Sequence, residues 1–278
     1  MKNKLFLMMC ALAVSTISPA LDIRVMTYNI RYNNPGDGIH VWPNRKADVV
    51  ELLRSRKPDV FGLQEALLGQ INDIASFMPG YDWVGVGRDD GVNQGEYVPI
   101  FYNSQRYQLK LQGWFWLSET PDIPSKGWDA ALPRLCTYVL LEDYETRANF
   151  WVFNSHFDHL GEEARKESAR LILKKVHELN NDKLPVILTG DFNASPDADP
   201  IRILERRLND SRQKSEVEPS GPEGTFNGFD FNSPLKDRID YIFVNRKVTV
   251  TKYEVITDSK DQCYPSDHLP VLAELSLK

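Results

Sequence analysis

The stretch Thr189-Gly190-Asp191-Phe192-Asn193 constrains this chain more than any other. It follows Pro185-Val186-Ile187-Leu188, a brief apolar run rich in β-branched residues, with a Pro in front and a Gly soon behind. Such a run predicts a buried strand that stops abruptly. At its end come a carboxylate and a carboxamide, two residues apart. Alternate side chains of an extended chain share a face, so Asp191 and Asn193 are expected to point the same way. An Asx-turn, in which both side chains only cap the local backbone, is the competing reading of this stretch alone.

The same arrangement recurs along the chain. Ile23 to Ile30 alternates as a strand and carries Asn29 near its end, although Asn is a poor strand residue. Asp59 to Gln64 is a second apolar strand, and Glu65 closes it. Asn149 to His156 is a third, ending on an imidazole. Ser266-Asp267-His268 lies in a turn just before a last strand, Val271 to Leu277. If these strands share a layer, their ends converge. Two or three carboxylates with an Asn amide oxygen then make a hard, oxygen-rich site, which favours Mg²⁺ or Mn²⁺ over Zn²⁺. Histidines beside it suit proton transfer or phosphate contact. His156-Phe157-Asp158-His159 could also begin a zinc site, but on a strand only His156 and Asp158 share a face.

Other segments supply the scaffold. Helices are expected over Asn44 to Arg56, Leu67 to Phe77 and Gly161 to Asn180, and another opens at Asp199-Pro200. Further strands are expected over Tyr81 to Val86, Val98 to Tyr102, Leu135 to Leu141, Ile239 to Val244 and Val248 to Thr257, and Leu109 to Leu117 is a segment carrying Trp114 and Trp116. Asp240 sits within the fourth of these strands. The loop Ser118 to Leu132 carries Trp128 and leads into Pro133-Arg134; it reads as a cover over the core or one wall of a cleft. Residues 211–224 are polar and read as a surface loop. Gly85-Val86-Gly87 lacks the third glycine of a dinucleotide fingerprint, and no Gly-x-Ser-x-Gly elbow supports a serine hydrolase.

The 278 residues are 42% hydrophobic and 26% charged, which supports a core of normal size. No linker or repeat divides them, so residues 21–278 are expected to form one domain. Residues 1–20 show a basic start at Lys2 and Lys4, an apolar run from Leu5 to Ile17, and Ser18-Pro19-Ala20. That is a secretory signal pattern, too short for a stable membrane anchor. The expected location is secreted or periplasmic. Loss of the two lysines takes the formal charge from −6 to −8. Such a chain has no general attraction to nucleic acid or to anionic membranes. Cys136 and Cys263 could pair in an oxidising compartment.

Six pieces in order carry a resemblance: Met26-Thr27-Tyr28-Asn29-Ile30-Arg31, Leu63-Gln64-Glu65, Asn154-Ser155-His156-Phe157-Asp158-His159, Gly190-Asp191-Phe192-Asn193, Arg238-Ile239-Asp240-Tyr241-Ile242 and Ser266-Asp267-His268. Together they resemble the endonuclease/exonuclease/phosphatase superfamily of metal-dependent phosphoesterases. Thr225 to Phe229 and the Trp116 to Arg134 segment look like a secreted bacterial branch of it. The resemblance implies an α+β fold, a four-layer α/β/β/α sandwich of two mainly antiparallel sheets flanked by helices. It implies that Asn29, Glu65 and Asp267 hold Mg²⁺ or Mn²⁺. Asp191 would orient or deprotonate the attacking water, and Asn193 would donate to a phosphate oxygen. His268, fixed by Asp240, would stabilise the transition-state charge, and His156 would face the same phosphate. Glu96, Arg134 and Trp128 are the candidate substrate contacts, with Glu96 supporting His156 and Arg134 either meeting phosphate or pairing structurally.

The expected function is hydrolysis of a phosphodiester or phosphomonoester by a monomer, through in-line attack of water. A nuclease acting on DNA or RNA is one alternative, although the charge does not indicate it. A non-catalytic binding protein on the same scaffold is the other.

Overall fold

A computed structural model describes residues 21–278; the expected signal segment, residues 1–20, lies outside the described residues. The first sheet has six strands: β1 (Leu21–Asn29), β2 (Val60–Gln64), β3 (Tyr81–Val84), β4 (Ile100–Asn103), β11 (Val248–Val255) and β12 (Val271–Leu277), in the order β11-β12-β1-β2-β4-β3. The second also has six: β5 (Tyr107–Trp116), β6 (Leu135–Asp143), β7 (Asn149–His156), β8 (Val186–Asp191), β9 (Asn209–Asp210) and β10 (Asp240–Val244), in the order β5-β6-β7-β8-β10-β9. Among the described residues the strand pairs β1–β2 and β7–β8 are parallel and the other neighbours run antiparallel.

Helices α1 (Trp42–Arg56) and α2 (Leu68–Phe77) cover the first sheet, and α3 (Glu162–Leu179) and α4 (Asp199–Glu205) cover the second. The result is the four-layer sandwich expected. Each layer boundary has its own apolar filling. Val25, Val60, Val152, Ile187 and Ile242 fill the space between the sheets. Met26, Phe61 and Leu63, the alternate residues of the same strands, pack instead on α1 and α2 through Val49, Leu53 and Ile74. Strands buried on both faces need apolar residues at every position, which is why these runs read as continuous rather than alternating.

A polar network crosses the inter-sheet core just below the strand ends. Gln64 Nε2 donates to Asn154 Oδ1 (2.7 Å) and Thr27 Oγ1 (3.0 Å), and Thr189 Oγ1 donates to the same Asn154 oxygen (3.0 Å). Asn154 Nδ2 donates to the Leu63 and Pro99 carbonyls at 2.8 and 3.0 Å. All four side chains are fully buried. This buried network, in which Gln64 Oε1 alone lacks a partner, ties the two sheets together, and it lies one residue below Glu65 and two below Asp191 and His156. Gly62 makes room for it: a Cβ there would stand 2.5 Å from Asn154 and Thr189 side-chain atoms. Gly62→Ala is expected to lower stability by about 1–3 kcal/mol through overpacking; chemical denaturation checks this, and an unchanged midpoint would contradict it.

Residues 211–224 are not the plain surface loop expected. They open on a short helix, α5 (Ser211–Lys214), whose N-cap Asp210 accepts from Arg212 N. Bridges Ser215–Val250 and Ser220–Glu254 then tie the segment to β11. Asp210 and Arg238 form a buried ion pair at 2.7 Å, a distant partner that no local pattern announces. Residues 35–40 form a 3₁₀ turn capped by Asn34. Cys136 is buried, Cys263 is exposed and both are free, so the pairing considered does not occur.

Candidate active site

Strand register builds the site. His156 is the register partner of Asp191 across the parallel β7–β8 pair, and Asp191 is the partner of Asp240 across the antiparallel β8–β10 pair. Directly opposite residues share a face and stand near one another, so three strands deliver His156, Asp191 and Asp240 as one row. In the facing sheet Asn29 pairs with Gln64, and Glu65 follows. Asn29 joins the two rows: its Nδ2 donates to Glu65 Oε1 (3.0 Å) and to Asp191 Oδ2 (2.9 Å).

Two expected site residues leave strand geometry. Glu65 and Asn193 both have positive φ, 59° and 46°. For Asn193 this overturns the expected extended alternation with Asp191. The chain turns, Asn193 N donates to Asp191 Oδ1 (2.9 Å), and the amide reaches the site from the turn. The Asx-turn and the site are thus one structure. Non-Gly residues in this region are uncommon and cost energy, and here two of them flank one cleft.

The turn bearing Asp267 and His268 is held from several sides. Ser266 Oγ donates to the Asn29 carbonyl (2.8 Å), and Asn227 N and Gly228 N both donate to the Asp267 carbonyl. His268 Nδ1 lies 2.9 Å from Asp240 Oδ2, and Nε2 lies 3.8 Å from Asp191 Oδ2. Thr225 Oγ1 accepts from Asp240 N, which steadies that carboxylate. Burial opposes charge on His268, but Asp240 and Asp191 outweigh it and hold the imidazole well above its usual range. Burial, followed by repulsion from Asp240, pushes Asp191 up from the carboxylate range, against the opposing pull of His268.

His156 has the opposite character. Its Nε2 is 3.6 Å from Asp191 Oδ2, but Arg134 stands 3.0 Å from its Nδ1. Burial, with Arg134 and Arg88 behind it, pushes this imidazole well below its usual range. Arg134 is 5% exposed and also reaches Asp158 and His159, so it lies behind the histidines. Glu96 pairs with Arg88 at 2.5 Å and keeps 4.0 Å from His156, so its main partner is an arginine. Burial pushes its carboxyl up despite Arg88. Trp128 is partly buried with φ 51°, and its N–H donates to Glu119. Among the described residues it makes no hydrogen bond or ring contact with the site.

Asp158 belongs to the framework. Its oxygens accept main-chain N–H groups of Ala131, Leu132, Leu160 and Gly161, which leaves little for a zinc ion. Burial would raise its pKa, but these N–H groups and Arg134 win and hold it at about 2 instead of 3.8. A depressed carboxylate stabilises the fold above the unfolded value and loses that contribution as pH falls through the folded one. The stability difference between the wild type and Asp158→Asn is therefore expected to be flat above about pH 5 and to shrink between 3.8 and 2. Urea unfolding across that range tests it, and a pH-independent difference would contradict it.

Glu65 and Asp267 are the oxygen donors suited to a divalent ion. Arg31 stands 3.7 Å from Glu65 and 3.9 Å from Asp267, but its guanidinium is engaged at 2.9 and 3.0 Å with Asp37. Burial, and then Glu65 among its neighbours, pushes the Asp267 carboxyl up, with His268 and Arg31 opposing. Two acceptor-only groups near enough to repel one another, beside an Asn amide, fit a hard cation. Asp191, Asp240 and His268 also place ligand atoms within 4.8 Å of one another. Their hydrogen bonding, however, commits Asp240 to the ring of His268. Sequence reasoning missed Arg31 and Arg45. Arg31 lies inside a quoted motif. Arg45 donates from α1 to the Ile30, Arg31 and Pro265 carbonyls, and only its burial reveals it.

The model of the endonuclease/exonuclease/phosphatase family matches residues 26–268, which include every one of these side chains. The chain belongs to the endonuclease/exonuclease/phosphatase family. An endonuclease/exonuclease/phosphatase family protein of Bacteroides thetaiotaomicron is 40% identical, with a TM-score of 0.89, covering 94% of this chain and 99% of that one. A mannosyl-6-phosphatase of the same organism is 42% identical, with a TM-score of 0.88 and coverage of 91% and 99%. The human Nocturnin catalytic domain shares the family fold at 21% identity, with a TM-score of 0.71 and coverage of 92% and 95%.

Proposed function

We propose that this chain is a divalent-metal-dependent phosphoesterase, and that its substrate is a phosphate monoester of a sugar. The observation that carries the reaction class is the convergence of His156, Asp191, Asp240 and His268 against Asn29, Glu65 and Asp267, at strand ends of two sheets. Asn29, Glu65 and Asp267 are the residues that would hold the ion. Bound there, Mg²⁺ or Mn²⁺ supplies Lewis-acid stabilisation of charge on the phosphoryl oxygens.

The protein's own groups supply the rest. Asp191 is buried and raised, so it accepts a proton more readily near neutral pH than a solvated carboxylate does. Its place between Asn29, His156 and His268 suits it to orient and deprotonate water. His268, held charged by Asp240, stabilises the negative charge that grows on phosphorus oxygens. Asn193 donates to the same oxygens.

The sugar monoester reading is supported by the relative named as a mannosyl-6-phosphatase at 42% identity. It is also supported by a polar recess of about 340 Å³ beside Asn193, lined by Glu162, Arg165, Lys166, Ser195 and Asp199. Such a lining suits a hydroxylated alcohol better than an apolar one. A nuclease is the second reading, and a net charge of −6 gives it no support. Secretion or periplasmic export and a monomeric state are proposed with it, on the N-terminal pattern and the single domain.

Asp240→Asn is expected to lower kcat by about 10–100-fold, the usual weight of a partner that orients a working imidazole, with KM for the sugar phosphate little changed. Steady-state kinetics on mannose 6-phosphate tests this. A variant as fast as the wild type would remove the Asp240 carboxylate from the mechanism.

A further inference from the structure

His156 and His159 are three residues apart, and one guanidinium serves both. Arg134 Nη1 lies 3.0 Å from His156 Nδ1, Nη2 lies 3.1 Å from His159 Nδ1, and Nε lies 3.4 Å from Asp158 Oδ2. A guanidinium has five N–H donors, no acceptor, and does not deprotonate. Each imidazole nitrogen that faces it must therefore present a lone pair. A ring with its lone pair on Nδ1 is neutral and carries its proton on Nε2.

We infer that Arg134 is a positioning residue that fixes His156 and His159 as uncharged Nε2–H tautomers, that His159 Nε2–H donates to the phosphate of the substrate, and that His156 Nε2–H holds the Asn193 amide so that its NH₂ donates to the same phosphate. The substrate half rests on the phosphoesterase reading; the tautomer half does not. His159 is half exposed, so a ring turned inward through Nδ1 carries its Nε2–H toward solvent at the edge of the site. The contrast with His268 is the functional point. Asp240 accepts from His268 Nδ1, whereas Arg134 donates to His156 Nδ1, yet both rings stand within 4 Å of Asp191. Proton transfer then falls to Asp191 and His268, and His156 and His159 are fixed donors. The low range of His156 agrees with this.

One contact decides between two arrangements. The Asn193 amide lies 3.1 Å from His156 Nε2. A proton on Nε2 requires the amide oxygen to face it, and amide ends are told apart only by their partners. That orientation frees the Asn193 NH₂ for phosphate, but it replaces the 3.0 Å donation to the Phe157 carbonyl with two facing oxygens, so the amide must also turn away from that carbonyl. The reverse orientation puts His156 between two donors and holds only if the Arg134 contact breaks.

The test is imidazole nitrogen–proton correlation NMR near neutral pH on the whole protein labelled with ¹⁵N-histidine, assigned with His156→Gln and His159→Gln. Protonated Nε2 and bare Nδ1 on both rings is the expected result, and a protonated Nδ1 on either overturns the tautomer assignment. In Arg134→Lys, whose single ammonium head cannot reach two rings as the fork does, at least one ring is expected to become a tautomer mixture; unchanged tautomers would remove Arg134 from the role. His159→Ala is expected to raise KM for mannose 6-phosphate about tenfold, the weight of one hydrogen bond to a charged group. His159→Gln, which keeps an N–H donor, is expected to recover most of it. An unchanged KM in His159→Ala overturns the substrate role while wild-type turnover in the same assay upholds the phosphoesterase reading. An inactive wild type sinks that reading and the substrate half, and the spectra still decide the tautomers.

Discussion

Asp191→Asn is expected to lower phosphate-ester turnover by roughly 10³-fold, within the range for loss of a positioned proton acceptor, while the protein stays folded. The wild-type carboxylate accepts from Asn29 Nδ2 through Oδ2 and from Asn193 N through Oδ1, both at 2.9 Å. An Asn keeps the second contact. It then sets its own NH₂ against the Asn29 NH₂ and against two imidazoles 3.6 and 3.8 Å away, where the wild type offers an acceptor. It has no proton affinity to offer water. Stability should hardly suffer, because a buried charge that burial and Asp240 already disfavour is removed. Kinetics and thermal unfolding on one preparation test both halves. A loss smaller than tenfold would take Asp191 out of the proton-transfer role.

Glu65→Gln is the second large effect, expected at roughly 10²–10³-fold in rate, comparable to losing one electrostatic stabiliser, and accompanied by weaker Mn²⁺ binding in titration calorimetry. Glu65 stands at φ 59°, a conformation that a strand-end residue adopts only when its surroundings impose it. One oxygen accepts from Asn29 and the other from Tyr32 N. Gln preserves size but removes the negative charge that, with Asp267, suits this place to a cation. Raising the metal concentration should recover part of the activity. Full activity with unchanged Mn²⁺ affinity would move the metal away from Glu65 and Asp267.

The chain's sequence made much of this legible, and the reason is periodicity. The bounds expected for β7 and β12 are those the structure shows, because β7 is an apolar run closed by Asn154, Ser155 and His156 and the second half of β12 alternates apolar with polar residues. Every residue proposed for metal or catalysis sits at a strand end or in a tied turn, and register alone aligns His156, Asp191 and Asp240. What stayed hidden depends on partners far along the chain. Asn193 enters from a left-handed turn that alternation cannot foresee. Arg134 and Glu96 read as substrate contacts because an isolated Arg or Glu near a motif carries no sign of its partner. Only folding shows Arg134 behind two histidines and Glu96 against Arg88. Asn154 read as one more polar strand residue, yet it is the bolt between the sheets.

Metal-dependent phosphoester hydrolysis is expected to depend on Asp191, His268 and Asp240 together. The most direct test is hydrolysis of mannose 6-phosphate and of bis-p-nitrophenyl phosphate by the wild type and by His268→Ala, each with EDTA, Mg²⁺, Mn²⁺ or Zn²⁺. The expected result is turnover of the monoester that EDTA abolishes, that Mg²⁺ or Mn²⁺ restores, and that His268→Ala lacks. Activity that survives EDTA, or that His268→Ala retains in full, would contradict the account.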